Sequence, residues 1–310
     1  MLEQKTLSPR AWTELFGLAL IWGGSFLSIR LALDGAGVFT TVAFRILGAA
    51  VVLWIYVLAR RIALPRDART WFALLVMGLL NNALPFSLIT WGELRIPSGL
   101  AAILNAATAI LGVLVAAIVF RDERLQARKA LGVGLGFAGV ATVIGLDALE
   151  GFDLTSLAQL AVLGAACSYA LSAAWARHAL KGLTPQLAAA GMLTTAALVM
   201  VPLALVTEGV PSFRYRPEVW AALIYLAFFA TAIAYLLYYR VLGMAGAGNV
   251  SLVTLLVAPI AILLGALILG EALPPAAYLG FALLALGLLT IDGRVFRRFA
   301  RKRPEPQETA

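Results

Sequence analysis

The 310-residue chain predicts an all-α polytopic membrane protein, ten transmembrane helices in two inverted five-helix repeats, and three observations carry that expectation. It is 62% hydrophobic and only 13% charged, whereas a soluble chain is close to half apolar and about one quarter charged. The apolar residues stand in blocks near the roughly 20 residues that a helix needs to cross a bilayer core, where the absence of water obliges each span to satisfy its own backbone. Basic residues gather in alternate connections between the blocks, the pattern of cytoplasmic loops.

The first span runs from Ala11 to Leu33. Lys5 and Arg10 ahead of it give the outline of a signal peptide, but its length and the interior Trp22, Gly23, Gly24 and Ser25 favour an uncleaved helix. Val38 to Ala59 and Trp71 to Gly92 are the second and third spans, and Ser98 to Phe120 is the fourth. Pro97 separates the third from the fourth, because the residue before a proline is pushed away from helical geometry. Ala127 to Leu146 completes the first repeat. Leu154 to Arg177, Gln186 to Thr207, Glu218 to Arg240, Ala245 to Leu269 and Pro275 to Ile291 make up the second.

The net charge of +8 is explained by where the charges lie. With a cytoplasmic N-terminus, 19 of the 24 Lys and Arg fall in inside segments; outside segments hold Arg30, Arg95, Arg214 and Arg216, and Arg45 falls within a span. Both termini are thereby assigned to the cytoplasm, with the chain in a bacterial inner membrane. The basic tail around Arg294 to Arg303 reads as an anchor at anionic membrane lipid, not as a nucleic-acid site. Cys167 and His178 are each the single residue of their type. A disulfide within the chain and a cysteine-based metal cluster are therefore excluded, and neither metal nor cofactor is expected. An intramembrane enzyme would need a positioned nucleophile, acid–base group or metal set. The spans offer none, which leaves transport, with a receptor or scaffold role behind it.

Glu123, Leu125, Gly132 and Gly139 are matched by Glu271, Leu273, Gly280 and Gly287, each pair 148 residues apart. Gly17, Ser25 and Arg30 are matched by Gly164, Ser172 and Arg177 at 147. The chain therefore reads as two repeats of five spans, 1–150 and 151–310. Five is odd, so the second repeat enters the membrane from the opposite side to the first. Inverted repeats with a midplane site between them are a common plan of secondary transporters.

Trp22-Gly23-Gly24-Ser25-Phe26, Phe44-Arg45, the Ser98-Gly99-Leu100-Ala101-Ala102 entry to span four, and Pro259 followed by Gly270-Glu271 carry a resemblance over nearly the whole chain. On these residues it resembles the ten-helix EamA-type exporters of the drug/metabolite transporter superfamily, with the amino-acid exporters among them the preferred specific likeness. The resemblance implies a central cavity between spans three, four, eight and nine, with contributions from one and six. It implies a small-molecule substrate, an amino acid in the preferred reading; oligomeric state is left open. The repeats depart from each other at Asp122-Glu123 against Gly270-Glu271, and Leu111 stands near the place of Pro259.

Polar residues facing hydrocarbon are costly, so their helical spacing marks a protected face. Asn81 and Pro85 are such a pair in span three, Asn105 and Thr108 in span four, and Trp22 with Ser25 in span one. Ser168, Ser172 and Trp175 share a face of span six, Thr231, Tyr235 and Tyr238 a stripe of span eight, and Ser251 and Thr254 stand before Pro259 in span nine. These are the candidate path residues, although a Ser or Thr in a membrane helix often bonds only a backbone carbonyl. Pro259 can act as a hinge by removing a backbone donor. Arg45, inside span two, needs an acceptor and is expected to serve as a gate, with Glu93 as an available partner. No Asp or Glu sits at mid-span. A strongly cationic solute is disfavoured on that ground, and transport is expected to need no core proton-binding carboxylate.

Overall fold

A computed structural model of the chain describes residues 9–120, 126–144, 154–245 and 253–292. Asp122, Glu123, Leu125, Ser251, the repeat boundary near residue 150 and the basic tail lie outside them. Among the described residues every regular element is helical. The first repeat supplies α1 (Pro9–Ala32), α2 (Val38–Ala59), α3 (Ala68–Gly92), α4 (Ser98–Val119) and α5 (Ala127–Ile144). The second supplies α6 (Leu154–Ala179), α7 (Pro185–Glu208), α8 (Pro217–Ala245), α9 (Val253–Leu269) and α10 (Pro275–Asp292). Eight have the length and apolarity to cross a bilayer, and α9 and α10 contain shorter apolar helices, which completes ten spans. Ala245, expected to open span nine, instead closes the helix of span eight.

The ends have local causes. Asp67 caps α3, accepting from the Thr70 N–H at 2.7 Å, and this bond holds its carboxyl below the usual carboxylate range. Gly270 ends α9 with φ of +65°, a conformation that glycine takes without strain.

Three spans depart from the uniform helices that hydropathy implies. α3 is π-helical over Leu79–Ala83, α8 over Tyr225–Ile233, and α4 breaks at Ala106 and Ala107. The two π segments are repeat equivalents, since Leu79 and Ala83 shifted by the 148-residue spacing reach Ala227 and Thr231. In α3 a cause is visible. A π turn directs the Leu80 carbonyl toward residue 85, but Pro85 has no N–H, and Ser168 Oγ of α6 donates to that carbonyl at 2.7 Å.

The packing obeys the exchange of repeats. α1 packs on α8 and α9, and its counterpart α6 packs on α3 and α4; α2 lies against α7 and α5 against α10. The α5–α10 contact runs through the glycines matched in the sequence. A Cβ on Gly132 would lie 2.6 Å from the Gly287 carbonyl oxygen, and one on Gly139 2.6 Å from that of Gly280. Only backbones without side chains approach so closely in a membrane. One buried cluster centres on α1, α4, α6, α8 and α9, and a second joins α2 and α7 to the first part of α3. Outward-facing Phe16, Ile55, Phe72, Val206, Leu267 and Leu279 are exposed, as a lipid-facing surface requires.

Candidate functional site

The interior polar groups meet where the π segment of α3 faces α6 and α8. The Asn81 amide nitrogen donates to the Tyr235 hydroxyl at 2.9 Å, and that hydroxyl donates to Asn82 Oδ1 at 2.7 Å. Ser172 Oγ lies 3.0 Å from Asn81 Oδ1 and 2.8 Å from the Tyr169 carbonyl, with one proton to give. The wider π turn presents two successive amides, Asn81 and Asn82, to the same tyrosine, and Asn82 is fully buried.

One helical turn further along α3, Phe86 carries the second half of the site. The Arg45 guanidinium lies 3.7 Å from the Phe86 ring centroid, and its Nε donates to Thr231 Oγ1 at 2.9 Å. Thr231 Oγ1 in turn donates to the Leu226 carbonyl, five residues back in the second π segment, at 2.8 Å. Arg45 is buried and joins α2 to α8 without a carboxylate bond, so Glu93 is not its hydrogen-bond partner. An aromatic run borders this region, with ring centroids 5.8 Å apart for Trp22 and Tyr238, 5.3 Å for Tyr238 and Tyr239, and 6.5 Å for Tyr239 and Tyr235.

The structure thus brings together Asn81, Ser172, Thr231, Tyr235 and Arg45, with Pro85 shaping the backbone between them. Trp22 and Tyr238 join through their rings. Three other sequence-predicted residues bond backbone carbonyls. Ser25 bonds the Trp22 carbonyl at 2.6 Å, Trp175 donates to the Ala73 carbonyl at 3.0 Å, and Thr108 donates to the Asn105 carbonyl at 2.7 Å, all backbone bonds. Asn105 Oδ1, at the α4 break, is buried without a partner. Thr254 is half-buried in the first turn of α9, and Pro259 is exposed on its outer side. Cys167 is likewise exposed. Two apolar grooves of about 290 and 380 Å³, on the α4–α5–α6 and α2–α7 surfaces, touch none of the polar network. The network joins α3, α6 and α8, with the buried Asn82 amide nitrogen as its one donor left without a partner among the described residues.

Sequence reasoning missed Asn82, Tyr169 and Phe86. Asn82 adjoins Asn81, and a strict helical period turns it about 100° away from the Asn81 face. It also missed two clasps at the end of the bundle away from the N-terminus, here called the far end. Glu208, closing α7, accepts from the Phe39 and Thr40 N–H groups at 2.9 and 2.8 Å. Glu271, past α9, accepts from Ser98 N, Ser98 Oγ and Gly99 N at 3.0, 2.8 and 3.3 Å. Each second-repeat carboxylate sits on the N-terminus of a first-repeat helix, where unpaired N–H groups favour an anion. At the near end, Arg240 of α8 pairs with Glu14 of α1.

The profile of the EamA-like transporter family matches residues 13–145 and again 156–291, once in each repeat. The chain is similar to a probable terminal-alkyne amino-acid exporter of Streptantibioticus cattleyicolor, 27% identical over 94% of this chain and 96% of that protein. It is also similar to a probable amino-acid metabolite efflux pump of Escherichia coli, 24% identical over 87% of this chain and 91% of that protein. A solved crystal structure superposes with a TM-score of 0.66 over 94% of this chain and 100% of that one, at 19% identity, a likeness of fold.

Proposed function

This chain belongs to the EamA-like transporter family, and from that premise we propose that it exports neutral or aromatic amino acids across a bacterial inner membrane by alternating access between its inverted repeats. The observation that carries the amino-acid reading is the chemistry of the network: amides, hydroxyls and aromatic rings around one arginine, with no carboxylate bonded to it. Such groups pair with a zwitterion and stack on an aromatic side chain, and they lack the anion that would hold a cationic drug. The names of two relatives agree in kind.

In this reading Trp22, Ser25, Asn81, Pro85, Asn105, Thr108, Ser172, Trp175, Thr231, Tyr235, Tyr238 and Thr254 border the solute path. A solute opens the network by exchanging its own polar groups for the bonds that now join Asn81, Asn82 and Tyr235. Arg45 gates α2 against α8, and Pro259 lets α9 bend, so that Pro259→Ala slows exchange more than it weakens binding. The loop charges put the near end in the cytoplasm.

Counterflow in proteoliposomes, with equal pH on both sides and a protonophore present, tests the proposal. Labelled neutral and aromatic amino acids should exchange, and Asn81→Ala or Tyr235→Ala should cut the flux several-fold while folded protein stays in the membrane. Exchange confined to cationic compounds or to other metabolites defeats the amino-acid reading. Unchanged flux in Asn81→Ala, Asn105→Ala and Tyr235→Ala alike defeats the path.

A further inference from the structure

Glu93 alone among the described acids has both carboxylate oxygens buried and without a hydrogen-bond partner. It follows Gly92 at the far end of α3 and is 1% exposed. The cations around it are turned elsewhere. Arg30 of α1 gives Nη1 to the Glu93 main-chain oxygen at 3.4 Å, and Arg45 of α2 is spent on Thr231 and Phe86. Burial is the largest influence on Glu93; the charge of Glu271, itself occupied on Ser98 and Gly99, also opposes an anion there, while the charges of Arg30 and Arg45 favour one without outweighing the burial. α6 brings apolar Ala158 and Val162 against the adjoining Gly92. An ionised carboxylate buried without partners is so costly that the group takes up a proton instead.

Glu93 and Ser98 bracket the short connection between α3 and α4, and Ser98 is the residue that Glu271 clasps. Parting the clasp frees the Ser98 end of the connection whose other end is Glu93. We propose that Glu93 is a proton-binding site that latches the far end: neutral while that end is closed, as here, and ionised when it opens. On opening, the carboxyl O–H bond breaks and the proton passes to water in the far-end compartment; on closing, a proton returns from the same water. No proton crosses the membrane, so solute exchange needs no pH gradient. The inference rests on the transport reading only in that the far end opens during a cycle.

The sign follows from linkage. The closed state binds the proton more tightly than the hydrated acid of the open state, whose ordinary pKa is about 4.3. Closure is thus fully favoured in acid, and the advantage is lost as pH rises toward the closed-state value, by up to about tenfold in the closed-to-open ratio per pH unit.

The test uses the full chain in lipid nanodiscs, Cys167→Ala throughout. Ile96→Cys, on the α3–α4 connection at 3% exposure, reports opening to a polar maleimide; Val210→Cys, 82% exposed, corrects for thiol reactivity. Corrected labelling at position 96 should rise several-fold from mildly acid to mildly alkaline pH, and adding Glu93→Gln should leave it low and flat. A flat profile without that change, or the same slope with it, overturns the proposal. Infrared spectra at neutral pH should show a protonated carboxyl band that Glu93→Gln removes, and absence of that band overturns it as well. Neither measurement requires a solute, so failure to find one counts against the transport reading and not against the latch.

Discussion

At the scale of single residues, the site depends on Tyr235, whose hydroxyl accepts from Asn81 and donates to Asn82. Tyr235→Phe keeps the ring and removes both bonds, leaving two interior amides short of a partner. Each buried group left unpaired costs about 1–3 kcal/mol, so the variant should unfold at lower denaturant and bind solute differently, as chemical unfolding and counterflow would read. Wild-type stability in Tyr235→Phe would mean that water replaces the hydroxyl. Glu93 shows how little a residue's type reveals. Its place at a span end made it an available partner for Arg45, whereas the fold buries it and turns the side chains of both nearby arginines to other acceptors.

At the scale of elements, the interruption of α3 couples two helices. Pro85 leaves the Leu80 carbonyl without a backbone donor, and Ser168 of α6 supplies one. Ser168→Ala should therefore cost about 1–3 kcal/mol in the wild-type background. The cost should shrink when Pro85→Ala restores an N–H to α3, which gives a coupling of about 0.5–3 kcal/mol in a double-mutant cycle. Additive effects would show that the carbonyl does not need its serine. The proline was legible in the sequence and its partner was not, because the bond joins residues 88 positions apart.

At the scale of the whole molecule, the far end is held by carboxylates of one repeat on helix N-termini of the other. Glu208→Gln with Glu271→Gln keeps the shapes and weakens the attraction to the N–H groups of α2 and α4. In intact cells, with Cys167→Ala, an impermeant maleimide should reach Val210→Cys in all backgrounds and Ile96→Cys more in the double-Gln background. Arg66→Cys should stay unlabelled, since the loop charges place it inside. Labelling at Arg66→Cys would reverse the orientation, and protection of Ile96→Cys in the double-Gln variant would show that the clasps do not hold this end shut.

The sequence by itself determined the membrane class, the ten spans and the duplication, because these follow from segment length, apolarity and residues repeated at a fixed interval. Gly132 and Gly139 matched Gly280 and Gly287 in the sequence, and the same glycines form the α5–α10 contact. Only the tertiary structure decided which polar side chains meet. A helical period of 3.6 assigns faces along one element, but the π turns shift that period inside α3 and α8, so Asn82 joins Asn81 at Tyr235. The partners of Arg45, Glu208 and Glu271 lie on other helices or at other span ends, and the Glu93 carboxyl is left without one. Their pairing follows from how ten helices share one interior, where most buried polar groups find a partner whatever its distance along the chain.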